Sequence, residues 1–105
     1  MDRNHKIFSL IKTTANEYLP DADVMLFGSR ARAESNEESD FDILLITNHE
    51  ISAKNKIPLR TKIRKDLLNK GIRSDILIQS KKEIDKKRQL PGHIIKNILD
   101  EAVPI

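Results

Sequence analysis

The sequence has no cysteine, four aromatic residues and three glycines among its 105 residues. Without cysteine, neither a disulfide framework nor a thiolate metal site can form. No apolar run approaches the roughly 20 residues that span a bilayer, and the opening stretch MDRNHKIFSL is too polar for a secretory signal. We therefore expect a cytoplasmic protein that has no membrane-spanning segment.

The length and the composition fit one small globular domain over residues 1–105, with 38% hydrophobic and 33% charged residues. The net charge of +3 is unevenly spread, because residues 1–50 carry 5 Lys/Arg and 10 Asp/Glu, whereas residues 51–105 carry 14 and 6. The basic half could bind nucleic acid, bind an acidic protein face, or simply be a solvated surface. The lack of aromatic residues between the basic ones argues against nucleic acid, since nothing there can stack on bases.

Hydrophobic periodicity predicts alternating helices and strands. The predicted helices cover residues 2–19, 52–70 and the segment from Ser80 onward, which is interrupted at Pro91-Gly92. The predicted strands cover residues 23–27, 41–47 and 72–80, and a short helix is expected after the first strand, with Ser29 as its N-cap. Nearly every position of the second strand is apolar, which is typical of a central strand that is covered on both faces. This order predicts an α/β (α+β) domain in which a sheet of about three strands is flanked by helices.

Two aspartates enter the second strand in the stretch GSRARAESNEESDFDILL, residues 28–45. Side chains at i and i+2 of a strand share a face, so Asp40 and Asp42 are expected to project together, about 7 Å apart along the strand. Such a pair can share a hard cation such as Mg²⁺, which would compensate the repulsion between the carboxylates. Asp75 joins this cluster if the third strand lies beside the second. The alternative is that Asp40 and Asp42 bind no cation and are simply polar residues where a loop leads into the strand.

A glycine-serine turn precedes the two aspartates. A strand, a glycine turn and a helix start place backbone N–H groups where they can face an anion. The Ser29 hydroxyl adds a donor, and Arg30 and Arg32 could reach phosphate oxygens. Most Gly-Ser turns are merely turns, but a phosphate cradle at Gly28 and a carboxylate pair on the next strand suit the same ligand, a metal-bound nucleoside triphosphate.

The same stretch resembles the signature of the nucleotidyltransferase superfamily that includes DNA polymerase beta, and more narrowly that of the minimal nucleotidyltransferases of prokaryotes. Their pattern is a Gly-Ser turn, an Ala-Arg, a loop, and Ser-Asp-X-Asp before a hydrophobic strand. The matching residues are Gly28, Ser29, Ala31, Arg32, Ser39, Asp40 and Asp42, and Asp75 in SDILI matches the third family carboxylate. The resemblance spans residues 5–102. Ala33, Glu37 and Glu38 stand where the family often has glycine and proline, which affects the expected orientation of the triphosphate.

The resemblance implies a nucleotidyltransferase fold with a small mixed sheet, and Mg²⁺-dependent transfer of AMP, or another nucleotide, from ATP to a hydroxyl. It implies that two Mg²⁺ ions are held by three carboxylates, of which the last also takes the acceptor proton. The implied catalytic and metal-binding residues are Asp40, Asp42 and Asp75. The implied nucleotide-binding residues are Gly28, Ser29, Arg30, Arg32 and Ser39.

The resemblance also implies a partner, because minimal nucleotidyltransferases are commonly encoded with a HEPN-type RNase toxin. The implied function is an antitoxin that transfers AMP to a hydroxyl of that toxin, plausibly a tyrosine. Two alternatives stay open. One is a non-catalytic antitoxin that neutralises its partner by contact, and the other is transfer to a small molecule or to RNA ends, for which 105 residues leave no room for an acceptor domain. The sequence leaves the oligomeric state open, a homo-oligomer included.

Overall fold

The computed structural model describes residues 3–31 and 39–105, and the described elements follow the predicted order up to the last helix, after which one further strand is present. In chain order they are α1 (Arg3–Tyr18), β1 (Asp23–Phe27), α2 (Gly28–Ala31), β2 (Phe41–Thr47), α3 (Ala53–Asn69), β3 (Ser74–Ser80), α4 (Lys81–Lys87), α5 (Ile94–Glu101) and β4 (Val103–Pro104). Within this described part, no helix is both long enough and apolar enough to cross a membrane.

The strands form one mixed sheet with the order β3-β2-β1-β4. Strand β1 runs antiparallel to both β2 and β4, whereas β2 and β3 are parallel. Helix α3 makes the crossover that two parallel strands require. The register pairs Asp42 with Phe27 on one side and with Asp75 on the other. Strand β2 therefore places Asp42 between the end of β1 and Asp75.

The predicted fold class is confirmed, but the number of strands is corrected from about three to four. The fourth strand, β4, pairs with Met25 and Leu26 of β1. A two-residue strand that includes a proline has no periodicity to read, and proline is depleted in strands. The third strand begins at Ser74 rather than at residue 72, because the Ile72 N–H donates to the Leu67 carbonyl and helps to close α3.

Apolar layers cover both faces of the sheet, as the sequence of β2 predicts. On one face, α1 and α3 contribute Ile11, Ala15, Ile63 and Leu67, which pack against Ile43 and Leu45 of β2. On the other face, α4 and α5 contribute Ile84, Ile95 and Ile98, which pack around Leu44. Because Ile43, Leu44 and Leu45 are fully buried, β2 is held rigidly from both sides.

Polar contacts join α1 to α3 beside the larger apolar layer. The Tyr18 hydroxyl donates to the Asp66 carboxylate, and this hydrogen bond raises the pKa of the tyrosine. Lys70 Nζ donates to Thr14 Oγ1 at 2.6 Å.

Helix α4 begins with a capping box, in which the Ser80 side chain accepts from the Glu83 N–H and the Glu83 carboxylate accepts from the Ser80 N–H. These contacts fix the helices that flank β2 and β3.

Candidate active site

The glycine turn between β1 and α2 lies directly against the Asp42 carboxylate. Gly28 has φ of +73°, in the left-handed region that L side chains rarely adopt. A Cβ atom on Gly28 would stand 2.1 Å from Asp42 Oδ2 and 3.0 Å from its Cγ. Only glycine therefore allows both the backbone conformation and this close approach. The predicted phosphate cradle and the predicted metal ligand are parts of one site.

The backbone N–H of Gly28 donates to Glu101 Oε1 at 3.1 Å. Glu101 is the last residue of α5, so the end of the chain's final helix reaches the glycine turn. The sequence analysis did not find this residue. Glu101 lies 73 positions away from its partner, at the polar end of an amphipathic helix, where a glutamate is usually only solvated.

Asp42 and Asp75 are neighbours in the parallel register of β2 and β3, and both line one cavity of about 290 Å³. Asp42 is half-buried, whereas Asp75 is exposed, because β3 is an edge strand of the sheet. The remaining wall of the cavity is apolar and comes from β1, β3 and α5: Phe27, Ile76, Leu77, Ile94 and Ile98. The structure thus brings together two of the three predicted carboxylates.

Asp40 lies one residue before β2, and its carboxylate pairs with Arg73. The distance from Arg73 Nε to Asp40 Oδ1 is 3.6 Å, and both side chains are more than half exposed. Asp40 lines a different cavity, of about 400 Å³, beside Ser74 and Arg64. Among the described residues, no group of three His, Asp or Glu side chains is placed to hold a metal ion. The assignment of Asp40 as a metal ligand therefore stays a prediction.

Arg30 contacts the segment that leads into β2. Its Nε and one terminal nitrogen donate to the Ser39 carbonyl at 3.2 and 2.7 Å, and its guanidinium lies 4.2 Å from the centre of the Phe41 ring. Arg30 thereby fixes the backbone that leads from Ser39 into the strand. Ser29 lies half-buried in α2. Arg32, together with the acidic loop that follows it, lies outside the described residues, so the predicted phosphate contacts of both arginines stay predictions.

The paired carboxylates fit a hard divalent cation. Asp42 and Asp75 share a cavity and are partners in the strand register, and a bound cation would offset the repulsion between the two carboxylates. Mg²⁺ is usually bound by one or two carboxylates together with phosphate oxygens and water. The glycine turn in contact with Asp42 provides the backbone approach that such phosphates need. The donor set therefore suits a Mg²⁺-bound nucleotide.

Comparisons with known proteins identify the family of the chain. The model of the family "Nucleotidyltransferase domain" matches residues 9–105. A "Putative protein adenylyltransferase" of Methanocaldococcus jannaschii is 35% identical over 79 residues, which are 75% of this chain and 72% of that protein. A solved structure of a "putative minimal nucleotidyltransferase" is 25% identical with a TM-score of 0.61, and the match covers 100% of this chain and 97% of that one.

Two further solved structures share the fold at lower identity. One is a toxin-antitoxin structure with AMP-PNP, which is 16% identical with a TM-score of 0.62 over 92% of this chain and 70% of that one. The other is a tri-AMPylated Shewanella oneidensis HEPN toxin in complex with an MNT antitoxin, at 14% identity and a TM-score of 0.56 over 95% of this chain and 69% of the matched one. Because the family model covers nearly the whole sequence, including the glycine turn and all three predicted carboxylates, the chain belongs to the nucleotidyltransferase domain family.

Proposed function

We propose that this protein is an antitoxin that transfers AMP from ATP to a hydroxyl group of a HEPN-type toxin, a tyrosine being the expected acceptor. The observation that carries the proposal is the contact between the Gly28 turn and the Asp42 carboxylate, with Asp75 beside it in register. The name of the Methanocaldococcus jannaschii relative supports a protein as the acceptor. The HEPN–MNT complex of the same fold supports the kind of partner.

The position of each site residue determines the part of the reaction that we assign to it. In the proposed step, the acceptor oxygen forms a bond to the α-phosphorus as the bond from that phosphorus to the bridging oxygen breaks, and pyrophosphate leaves with the electron pair. Asp75, on the exposed edge strand, takes the proton of the hydroxyl. Asp42 and the turn at Gly28 hold the triphosphate side of the reaction, where the backbone can approach an anion.

Bound Mg²⁺, held by Asp42 and Asp75 with Asp40 as the further proposed ligand, would neutralise charge on the phosphates and on the departing pyrophosphate. Arg30 acts through Ser39, since its two hydrogen bonds to that carbonyl fix the start of the strand that carries the carboxylates. The proposed catalysis is therefore mainly positioning and electrostatic stabilisation, and it does not require covalent attachment to the protein.

The test is transfer of label from α-labelled ATP to the partner in the presence of Mg²⁺. Asp42→Asn and Asp75→Asn should each lower the rate at least about 100-fold, because each removes a charge aimed at the reacting phosphates. Asp85→Asn is the matched control, since Asp85 is an exposed aspartate on α4. Its rate should stay within about twofold of wild type, as expected for a surface position away from the site. Equal labelling by the wild type and both site variants, or labelling by none, would refute the proposal.

A second candidate function is neutralisation of the toxin by contact alone. Two internal contacts favour it, because the Gly28 N–H is bonded to Glu101 and the Asp40 carboxylate pairs with Arg73. A nucleotide would have to displace or share these partners. Under this alternative, Asp42→Asn would protect cells from the toxin as well as the wild type does. Loss of protection in that variant, with the complex still formed, would exclude it.

A further inference from the structure

A groove runs between α3 and the edge strand β3. It consists of two adjoining cavities, of about 400 and 180 Å³, which share Thr61 and Arg64 in their walls. Asp75 lines the smaller cavity as well as the cavity that contains Asp42. The groove therefore leads from the outer side of the sheet to the carboxylate that we propose as the proton acceptor. A substrate lying in the groove would reach Asp75 from the side opposite to the glycine turn.

The walls of this groove are basic. Among the described residues, they carry four cationic side chains, and their carboxylates are the two candidate site residues Asp40 and Asp75; the cations are Arg60, Arg64, Lys65 and Arg73. The Arg64 Nε donates to the Ser74 carbonyl at 3.2 Å, so this guanidinium bridges the helix and the strand. A surface of this kind attracts and orients an anionic partner.

Ser74 places a buried hydroxyl in the wall of the groove. It lines the larger cavity and is only 6% exposed, and in the part of the chain that the structure describes its Oγ has no hydrogen-bond partner. Native proteins rarely leave a buried hydroxyl unpaired, because the loss of its hydrogen bonds to water is not compensated. The serine is thus a donor enclosed in the wall of a basic groove.

We propose that this groove binds an acidic segment of the acceptor protein and brings the neighbouring hydroxyl to Asp75. This inference rests on the proposed function, since it identifies where the protein acceptor docks. A carboxylate-rich peptide fits better than single-stranded nucleic acid, because none of the described residues that line the two cavities is aromatic and bases would have nothing to stack on. Carboxylates of the segment pair with Arg60 and Lys65.

The test measures binding of a fluorescein-labelled peptide in which glutamates flank one tyrosine, by fluorescence anisotropy of the full chain. Nucleotide and magnesium are left out, so docking is read independently of transfer. The salt concentration is about 10 mM, where the Debye length is about 30 Å and charge interactions are weakly screened. A peptide with glutamines in place of the glutamates, and an oligouridine, are measured in parallel.

The groove variant is Arg60→Glu with Lys65→Glu. The matched control is Lys54→Glu with Lys62→Glu, which makes the same change in charge at exposed positions of α3 outside the groove. The groove variant should bind the glutamate peptide at least about tenfold more weakly than wild type, and the control within about threefold, because only the first reverses charges that face the peptide. Circular dichroism of both variants checks that they are folded.

Equal weakening in the two variants would overturn the proposal, since it would show attraction by net charge alone. Tighter binding of the oligouridine, or equal binding of the glutamine peptide, would also overturn it. Peptide binding that depends on the groove, together with no label transfer to any acceptor, would support the docking site and refute the proposed function. Label transfer to a partner without groove-dependent peptide binding would do the reverse.

Discussion

Replacing Gly28 by alanine tests the central feature of the site, the approach of the turn to Asp42. The change acts in two ways. Alanine at φ of +73° is strained, and its Cβ would stand 2.1 Å from Asp42 Oδ2. Gly92 offers a matched control, because it has a nearly identical φ of +72° but nothing within 4 Å of an added Cβ. The two variants share the backbone strain, and they differ in the contact with the carboxylate.

The expected loss of unfolding free energy and the expected loss of transfer rate differ between the two variants. A non-glycine residue in the left-handed conformation costs roughly 1–2 kcal/mol, so Gly28→Ala and Gly92→Ala should both lower the free energy of unfolding by about this amount. Rotation of the Asp42 side chain can relieve the contact with Oδ2, but the Asp42 Cβ stays 3.3 Å from the added atom, so Gly28→Ala should be the less stable of the two variants. The rotation nevertheless displaces the carboxylate, and a misplacement of about 1 Å can lower a rate about 100-fold.

Urea denaturation and label transfer from ATP to the partner should therefore give different orders for the three proteins. The free energy of unfolding should be highest for the wild type and lower for both variants, which should lie within about 1 kcal/mol of each other. Transfer should fall about 100-fold in Gly28→Ala and less than about threefold in Gly92→Ala. Wild-type transfer by Gly28→Ala would refute the reasoning, and so would an equal loss of transfer in both variants.

Three further predictions concern the scaffold, and urea denaturation measures all of them. Ser74→Ala should raise the unfolding free energy by about 1 kcal/mol, because it removes a buried hydroxyl without a partner; a loss of stability would contradict this. Burial raises the pKa of Glu83, but hydrogen bonds from Lys56 and the Ser80 backbone outweigh it and hold the pKa below 4.5. Its contribution to stability is thus present above pH 4.5 and is lost as the pH falls through the lowered pKa, so Glu83→Gln should flatten the pH dependence there; an unchanged slope would contradict this. Leu67→Ala should cost about 2–5 kcal/mol and Leu68→Ala within about 0.5 kcal/mol, since Leu67 is fully buried and Leu68 is 58% exposed; similar costs would contradict the packing.

The parts of the fold that could be predicted are those in which local pattern and burial agree. Strand β2 is the clearest case, because an apolar side chain at nearly every position is stable only when both faces are covered, and both are. Strand β4 is the opposite case. Its two residues form a strand only because β1 lies beside them, and no local pattern records that pairing.

The site divides in the same way. The turn at Gly28 and the carboxylate at Asp42 could be named as candidates, because their residue types and spacing suit the chemistry. The neighbourhood of Asp42 and Asp75 could be stated only as a condition, since it depends on which strands are adjacent. The hydrogen bond from Gly28 to Glu101 joins residues 73 positions apart, and it follows from the packing of α5 rather than from any motif.

Strand order also explains why Asp42 and Asp75 differ in solvent exposure. Asp42 lies on an inner strand, between the end of β1 and β3, and it is half-buried against the glycine turn. Asp75 lies on the edge strand, and nothing in the described sheet covers its outer side. A protein acceptor can approach the exposed Asp75 directly, whereas Asp42 is half-buried in the cavity that the two residues share. This difference in exposure is why we propose Asp42 for the nucleotide side of the reaction and Asp75 for the acceptor side, on which the basic groove opens.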